Sequence, residues 1–345
     1  MRSAREREGM TQTAAASART TGSPAALDRP RRILRAVAVV SCLPYLSLKI
    51  AWLAGSHIGI PDGSVLLEHR TAVTVANGVT VLMDACVIVL ALVLTRPWGL
   101  RLPGWLLTVP MWVATGLLTP IMTGFPVQLL VTAFGGTVST ADDDGRTFLE
   151  SWVFVVVYGG FIVQGLALGT LFALYARDRW GRLWRGRVCD LPCALLGTAA
   201  QKTVAVAAAV LALPPLTAHL LWACGATTGL NADRIADRTS DFHVVEAQSA
   251  VFLAVAVAAG LMLAFRRGRA LPVKVPLALA WTASAAAACW AGWQAVASLA
   301  VTEGAAERPT PLMNLTYACG MIVGFLVAGL AVRLLVARAA GRRTA

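Results

Sequence analysis

The sequence predicts an all-α integral membrane protein, a helical bundle of eight transmembrane helices arranged as a 4+4 parallel tandem repeat. Three observations predict this fold. The 345 residues are 57% hydrophobic and only 14% charged, whereas soluble domains are about 25% charged. Eight apolar stretches are each long enough to cross a hydrocarbon core of about 30 Å as a helix. A pattern of proline, tryptophan and glycine also recurs 170 residues along the chain. The composition excludes a soluble globular enzyme, a disordered chain and a disulfide-rich secreted module.

The eight apolar stretches define the elements in chain order. None alternates with a two-residue period, and a backbone in lipid must satisfy its hydrogen bonds internally, so each is predicted to be a helix. Their approximate bounds are 34–55, 74–95, 104–124, 150–176, 198–224, 246–265, 275–300 and 312–337. The first four stretches form a repeat over residues 33–188, and the last four form a repeat over residues 189–338. A tail of residues 1–32 precedes them, and a tail of residues 339–345 follows.

The amino-terminal tail differs in composition from the rest of the chain. Residues 1–30 are rich in Ala, Ser and Thr, carry charges and lack apolar periodicity. Such a segment buries too little apolar surface to fold, so the tail of residues 1–32 is predicted to be disordered and cytoplasmic. Met10 opens the segment Met-Thr-Gln-Thr, which is typical of a translation start and makes Met10 a candidate first residue.

The cationic residues indicate how the bundle lies in the membrane. The two tails and every second loop hold 22 of the 30 lysines and arginines, and the alternate loops hold five. Because cytoplasmic loops are enriched in Lys and Arg, both termini are predicted to lie in the cytoplasm, with the bundle in the cell's inner (plasma) membrane. The net charge of +12 is therefore mainly an orientation signal. No soluble basic domain is predicted, so no nucleic-acid partner is expected.

The internal repeat is defined by residue types that are uncommon in apolar helices. At an offset of 170, the matched residues are Pro44, Trp52, Gly55 and Gly59 with Pro214, Trp222, Gly225 and Gly229. At nearby offsets, the matched residues are Asn77, Pro103 and Trp112 with Gln248, Pro272 and Trp281. Pro44 and Pro214 fall inside predicted helices, where each is expected to cause a kink. Each half has an even number of spans, so a pseudo-twofold axis along the membrane normal is expected.

Ionisable side chains at membrane depth are energetically costly, and each suggests a functional hypothesis. Lys49 lies in the first span, Asp84 lies near the middle of the second, and Asn77 shares a helix face with Asp84. In one interpretation, Lys49 and Asp84 form an ion pair that fixes the register of two helices. In the other, these residues line a polar cavity for a small solute, a proton or a lipid head group. The sequence leaves both interpretations open.

The second half repeats this polar pattern incompletely. His219 occupies the position of Lys49, but no acid occupies the position of Asp84. Because only the first half has both charges, a site retained in one half is expected in the first. A tryptophan follows Lys49 and His219 by three residues, so each pair can line one helix face. The candidate binding residues are Lys49, Trp52, Asn77, Asp84, His219, Trp222 and Gln248.

Motifs for cofactors, metals and catalysis are missing from the sequence. It has no Walker A loop, no GxSxG, no HExxH and no dinucleotide fingerprint, and we assign no catalytic residue. Cys189 and Cys193 lack two further ligands nearby, so no metal site is predicted. Two four-helix halves resemble the architecture of heme A synthase, whose helices supply heme-ligating histidines. Spans four and eight contain no histidine, so no cofactor is expected.

One short pattern resembles a known group of proteins. The segments Lys49-Ile-Ala-Trp52-Leu-Ala-Gly55 and His219-Leu-Leu-Trp222-Ala-Cys-Gly225 place a polar residue, a tryptophan and a glycine at the outer end of a helix. This pattern is similar to one in small uncharacterised four-helix membrane proteins of actinobacteria. The resemblance covers under a tenth of the chain and implies a membrane protein without an assigned activity.

Three functions follow as alternatives from these observations. In the first, the chain is a non-enzymatic multi-pass protein with a polar intramembrane cavity, acting in transport, in sensing or as a membrane partner. In the second, it is a membrane-embedded enzyme that acts on a lipid or small amphiphile through Glu68 and His69. In the third, it is a structural subunit whose function lies in its partner, and Lys49 and Asp84 are only a packing pair between two helices. The expected partners are the lipid bilayer and a small-molecule or lipid ligand.

Overall fold

The computed structural model describes residues 24–62, 64, 66, 70–136, 149–191, 198–236, 238–300 and 308–341. Long helices dominate this part of the chain, and its only strand-like pairing is an isolated bridge between Arg187 and Pro272. The long helices are α1 (Pro24–Val40), α2 (Leu43–Leu53), α3 (Arg70–Thr95), α4 (Gly104–Ala133), α5 (Ser151–Trp180), α6 (Ala199–Leu211), α7 (Leu213–Ala223), α8 (Ser240–Phe265), α9 (Lys274–Ala300) and α10 (Pro311–Gly341).

These helices form membrane spans. α1 and α2 together make one span, and α6 and α7 make another, so the described residues contain eight helical segments long and apolar enough to cross a membrane. Large apolar side chains such as Leu82, Val155 and Leu166 are exposed on the outside of the bundle, where lipid tails would surround them. The prediction of an all-helical, multi-pass membrane protein is confirmed.

Three helix ends differ from the bounds predicted from the sequence. α1 begins at Pro24, within the segment predicted as a tail, and the residues before it lie outside the described part of the chain. α4 continues to Ala133, beyond its predicted end, although it contains Pro126. A proline removes only its own hydrogen bond, and the apolar residues after it extend the span. α8 begins earlier than predicted, at Ser240, with an acidic residue in its first turn, where the helix dipole favours negative charge.

A proline divides the first and the fifth spans. Pro44 has no N–H to donate to the carbonyl of Val40, and the chain turns at residues 41–42 before α2 begins. Pro214 occupies the corresponding place in α7, after a turn at Ala212. The two predicted kinks are therefore present as breaks between consecutive helices.

The same loop follows both broken spans. Gly55 (φ +89°) and Gly225 (φ +94°) adopt a left-handed backbone conformation just after α2 and α7, which ends each helix and favours glycine. The indole N–H of Trp52 donates to the carbonyl six residues later at 2.8 Å, and the indole N–H of Trp222 does the same at 3.0 Å. We call the end of the bundle that carries these two loops the glycine-loop end.

Each half of the chain packs around its own apolar core. The core of the first half (α1–α5) includes Leu90, Leu94 and Leu171, and the core of the second half (α6–α10) includes Leu263 and Val327. Helices that contact each other in the first half have counterparts that contact each other in the second. For example, α1 packs on α5 and α6 on α10, while α2 packs on α3 and α7 on α8. α4 lies between the halves, because it packs on α8 and α9 as well as on α5.

The contact between α4 and α9, which we call the central seam, contains a reciprocal pair of hydrogen bonds. The indole N–H of Trp112 in α4 donates to Ser284 Oγ in α9 at 3.2 Å. The indole N–H of Trp281 in α9 donates to Thr115 Oγ1 in α4, also at 3.2 Å. Across a twofold axis, two contacting positions exchange their contacts in this way.

Glycine and alanine bring the backbones of the central seam close together. A Cβ placed on Gly116 of α4 would lie 2.3 Å from the carbonyl oxygen of Ala285 in α9. A Cβ placed on Gly324 of α10 would lie 2.6 Å from the carbonyl oxygen of Ser284, on another face of α9. Small residues let membrane helices approach closely, and α9 is therefore buried among three neighbours, α4, α8 and α10.

The opposite end of the bundle, which we call the arginine-rich end, is joined by loops from both halves. The N–H of Val188, after α5, donates to the carbonyl of Leu271, after α8, at 3.0 Å. In the first of these loops, the backbone N–H of Arg187 donates to the Asp190 carboxylate at 2.7 Å. This bond lowers the pKa of the Asp190 carboxyl below its ordinary value, because it stabilises the charged form.

Candidate functional site

Lys49, from α2, lies against α3 near the glycine-loop end. Its ammonium donates to Asn77 Oδ1 at 2.7 Å and lies 4.9 Å from the ring centroids of both Tyr45 and Trp52. Aromatic faces attract cations, so an amide oxygen and two rings together surround the positive charge. Of the residues predicted from the sequence, Lys49, Trp52 and Asn77 therefore lie together.

Asp84, in the middle of α3, is not the direct partner of Lys49. No ion pair within 4.0 Å joins these two side chains, both of which are described, although their charges interact through space. The hydrogen-bond neighbour of Asp84 is Gln164 of α5. The predicted ion pair is absent because Asn77, two turns along the same face of α3, receives the Lys49 ammonium instead.

His219, from α7, forms the corresponding contact in the second half. Its Nδ1 lies 2.5 Å from Glu246 Oε2 of α8, and both side chains are largely buried. The imidazole also meets Trp222 edge to face, with ring centroids 5.6 Å apart. The ring is thus held between a carboxylate and an indole that is itself buried.

The partner of His219 corrects the match between the two halves. Glu246, and not Gln248, meets His219 as Asn77 meets Lys49. Lys49 and Asn77 are 28 residues apart, whereas His219 and Glu246 are 27 residues apart. The segments that connect the paired helices, 54–69 and 224–239, have the same length. Glu246 therefore lies one residue earlier along α8 than Asn77 lies along α3, and residue types in apolar helices do not reveal such a shift.

Gln248 does not hydrogen-bond to His219 and instead binds α4, in the first half of the chain. Its side-chain oxygen accepts a hydrogen bond from the Thr123 hydroxyl of α4 at 3.0 Å. Its side-chain nitrogen donates to the Pro120 carbonyl at 3.1 Å. Gln248 therefore connects α8 to α4 across the two halves.

A cavity opens beside the His219–Glu246 pair. It has a volume of about 40 Å³, which holds a few water molecules or a ligand of similar size. Helices α7, α8, α9 and α10 line it, with Pro120 contributed by α4. The side chains that give it polar or aromatic walls are His219, Glu246, Gln248, Ser249, Trp290, Gln294 and Tyr317. One carboxylate, two amides and aromatic rings therefore converge within the membrane-spanning part of the protein.

A second groove, of about 260 Å³, lies between α4 and α5. Its walls are mainly apolar, with Met111, Leu118 and Met122 on one side and Gly165 and Leu168 on the other. No charged side chain lines it. Among the described residues, its only polar side chains are those of Thr115, Thr119, Thr170 and Thr282, so the groove suits a hydrocarbon chain better than a charged ligand.

Sequence reasoning identified His219 and Gln248 but not the other polar residues around the cavity, nor the amide beside Asp84. Gln164, Gln294 and Tyr317 were not predicted as site residues. An amide inside an apolar span can be recognised in the sequence as a candidate site residue, because it needs a hydrogen-bond partner there. Which group the amide faces depends on how the helices pack. The expectation that a retained site lies in the first half stays a prediction, while the described cavity lies beside the second-half pair.

The alternative enzyme hypothesis rests on residues outside the described part of the chain, Glu68 and His69. Within the described part, no three His, Cys, Asp or Glu side chains come together as metal ligands would. Comparisons with known proteins found no match: no protein-family model, no curated protein and no solved structure matches this chain.

Proposed function

We propose that this multi-pass membrane protein binds a small monovalent cation in the cavity beside His219 and Glu246, in a transport or sensing role and not as an enzyme. One observation carries the proposal: a carboxylate, 2.5 Å from an imidazole, forms part of a cavity wall that amide and aromatic side chains complete. When the imidazole is neutral, the pair carries one negative charge. A negative charge at membrane depth is costly unless a cation lies beside it.

The first half of the chain supports this choice of ligand, because it holds an ammonium group of its own. At the position of His219, Lys49 places its ammonium on the Asn77 amide oxygen and over two aromatic rings. In the second half, an imidazole replaces the lysine, and Glu246 replaces the amide. An ammonium ion in the cavity would meet the same classes of group, together with a full negative charge.

The size of the cavity limits the ligand to a few heavy atoms. A volume of about 40 Å³ suits ammonium or methylammonium better than a larger quaternary amine such as choline. Glu246 would compensate the charge, the amide oxygen of Gln294 would accept an N–H, and Trp290 would present an aromatic face. Polar contacts of these kinds, in an otherwise apolar site, are what orient a small ligand.

Thermal unfolding of the purified protein in lipid nanodiscs tests the proposal. Ammonium or methylammonium chloride should raise Tm in a saturable manner, because a ligand that binds only the folded state stabilises it by RT ln(1 + [L]/Kd). Choline chloride at equal ionic strength should not. Glu246→Gln should abolish the shift, and Asp233→Asn, which neutralises an exposed acid, should retain it. Equal shifts from ammonium and choline, or a full shift in Glu246→Gln, would contradict the proposal.

The proposal also covers the architecture and its orientation. The reciprocal bonds of the central seam, the paired glycine loops and the corresponding helix contacts support two four-helix repeats, residues 33–188 and 189–338, about an axis along the membrane normal. The arginine distribution supports an inner-membrane protein with its arginine-rich end and both termini in the cytoplasm. The cation cavity then lies nearer the outer, glycine-loop end.

A further inference from the structure

Asp84 and Gln164 leave two oxygen atoms without a partner deep in the first half. Asp84 lies in the middle of the 26-residue helix α3, and the two side chains are 3% and 2% exposed. The Gln164 amide lies within hydrogen-bonding reach of the Asp84 carboxyl group, yet Asp84 Oδ2 and Gln164 Oε1 find no partner among the described residues. When Asp84 is ionised, both atoms are acceptors, so they cannot bond to each other.

We propose that Asp84 carries a proton and forms a cyclic acid–amide pair with Gln164, which makes this pair a proton-binding site at the centre of the first half. In the pair, the Asp84 O–H donates to Gln164 Oε1, while the Gln164 N–H donates to Asp84 Oδ1. A single proton thereby gives both unpartnered oxygen atoms a hydrogen bond. The site is separate from the proposed cation cavity, which lies in the second half.

The surroundings of Asp84 favour the neutral acid over a carboxylate. A charge in the middle of a membrane span is costly, and a buried acceptor without a partner adds to that cost. Lys49 does not remove the cost by direct pairing, because its ammonium is bound to Asn77 at 2.7 Å. The protonated form has no charge to compensate and no unsatisfied oxygen at the Gln164 contact.

Four groups from two neighbouring elements face Asp84. Gln164 approaches from α5. The charge of an ionised Asp84 acts on three titratable groups, Tyr45 and Lys49 of α2 and Cys42 at the break between α1 and α2. Lys49 is the one cation among them. Loss of the Asp84 proton would therefore create a negative charge that Lys49 must compensate, which couples proton release from α3 to the position of α2.

Infrared spectroscopy of the full-length protein in lipid nanodiscs at pH 7 measures this protonation state. The difference spectrum of wild type minus Asp84→Asn should contain a carboxylic-acid C=O band that shifts in D₂O, and no carboxylate band. Gln164→Leu should move that band to higher wavenumber, because the acid loses its hydrogen-bond partner. Gln128→Leu, which removes an amide from α4 instead, should leave the band unchanged.

A carboxylate band assigned to Asp84 at pH 7 would overturn the proposed protonation. An acid band at the same wavenumber in wild type and Gln164→Leu would overturn the pairing. If Asp84→Asn does not fold, the comparison of wild type with Gln164→Leu still tests whether Asp84 is protonated and paired. An acid band displaced by Gln164→Leu must come from the carboxyl beside Gln164. The ammonium titration through Glu246 is a separate measurement, so either proposal can fail without the other.

Discussion

At the residue scale, Lys49 and His219 each lie between a helix break and a glycine loop, yet they contact different groups. Lys49 extends to Asn77 and places its ammonium over two rings. His219 is shorter, reaches Glu246 at 2.5 Å and borders a cavity of about 40 Å³. A lysine brings its own cation to the site, whereas a histidine beside an acid leaves room for one from solution.

Gly116→Ala tests the central seam by adding one carbon atom to α4. The added Cβ would lie 2.3 Å from the carbonyl oxygen of Ala285, and backbone atoms cannot swing aside as a flexible side chain does. We expect this overpacking to cost about 1–3 kcal/mol and to lower Tm in nanodiscs. Gly169→Ala is the matched control, since nothing lies within 4 Å of a Cβ at that position. Equal Tm values for the two variants would be incompatible with the seam.

Short-range contacts of the site could be predicted from the sequence, and long-range contacts could not. Trp52 follows Lys49 by three residues, and helical geometry alone brings the two side chains together. The partner of His219 lies one residue earlier along α8 than Asn77 lies along α3, and composition gives no signal of which neighbouring position faces the histidine. Gln164 was not predicted because its contact with Asp84 joins α5 to α3 across the bundle.

At the scale of helices, residues that break or end a helix predicted the structure more reliably than hydrophobicity did. Pro44 and Pro214 predict breaks, and Gly55 and Gly225 end helices, because each effect acts within one turn of the chain. The neighbours of each helix were not predictable. Lipid-facing and protein-facing surfaces are both apolar, so hydrophobicity does not separate them. The position of α4 between the two halves is the clearest example.

The reciprocal bonds between α4 and α9 predict matched effects of two substitutions. Trp112→Phe and Trp281→Phe each keep an aromatic ring and remove one indole N–H that donates at 3.2 Å. Each should destabilise the protein by about 0.6 kcal/mol, the average for hydrogen bonds between membrane helices, and by no more than about 1.7 kcal/mol. Trp105→Phe, at a site 67% exposed, should have no such effect. Chemical denaturation in mild detergent measures the free energy of unfolding of all three variants. A loss of stability in only one of the two seam variants would argue against reciprocal hydrogen bonds.

At the scale of the whole molecule, the two ends of the bundle differ in charge. The two tails and the loops on the arginine-rich side together hold most of the cations, and the alternate loops hold most of the acids. The charge pattern was therefore enough to predict an orientation. The sequence could not show how loops from the two halves bind one another at the arginine-rich end, because the contact between Val188 and Leu271 joins segments far apart in the chain.

The proposed orientation predicts which native cysteines react from outside the cell. Cys224 is exposed beside the glycine loop after α7, and Cys189 is partly exposed at the arginine-rich end. A membrane-impermeant maleimide added to intact cells should label Cys224 and not Cys189, and permeabilised cells should allow labelling of both. Mass spectrometry of the labelled peptides, with Cys224→Ser as control, distinguishes the sites. Labelling of Cys189 in intact cells would reverse the orientation.

The position of α4 has a consequence for how the protein is made. Translation completes α4 at Ala133. More than a hundred further residues are then synthesised before α8 begins at Ser240. At ordinary elongation rates this interval is about 5–20 s. During that time the surface of α4 that carries Trp112 and Gly116 lacks its partner helix, and it contacts lipid or the insertion machinery instead. The first half is thus an unfinished intermediate of biosynthesis, and assembly is completed only when the nascent chain supplies α8 and α9.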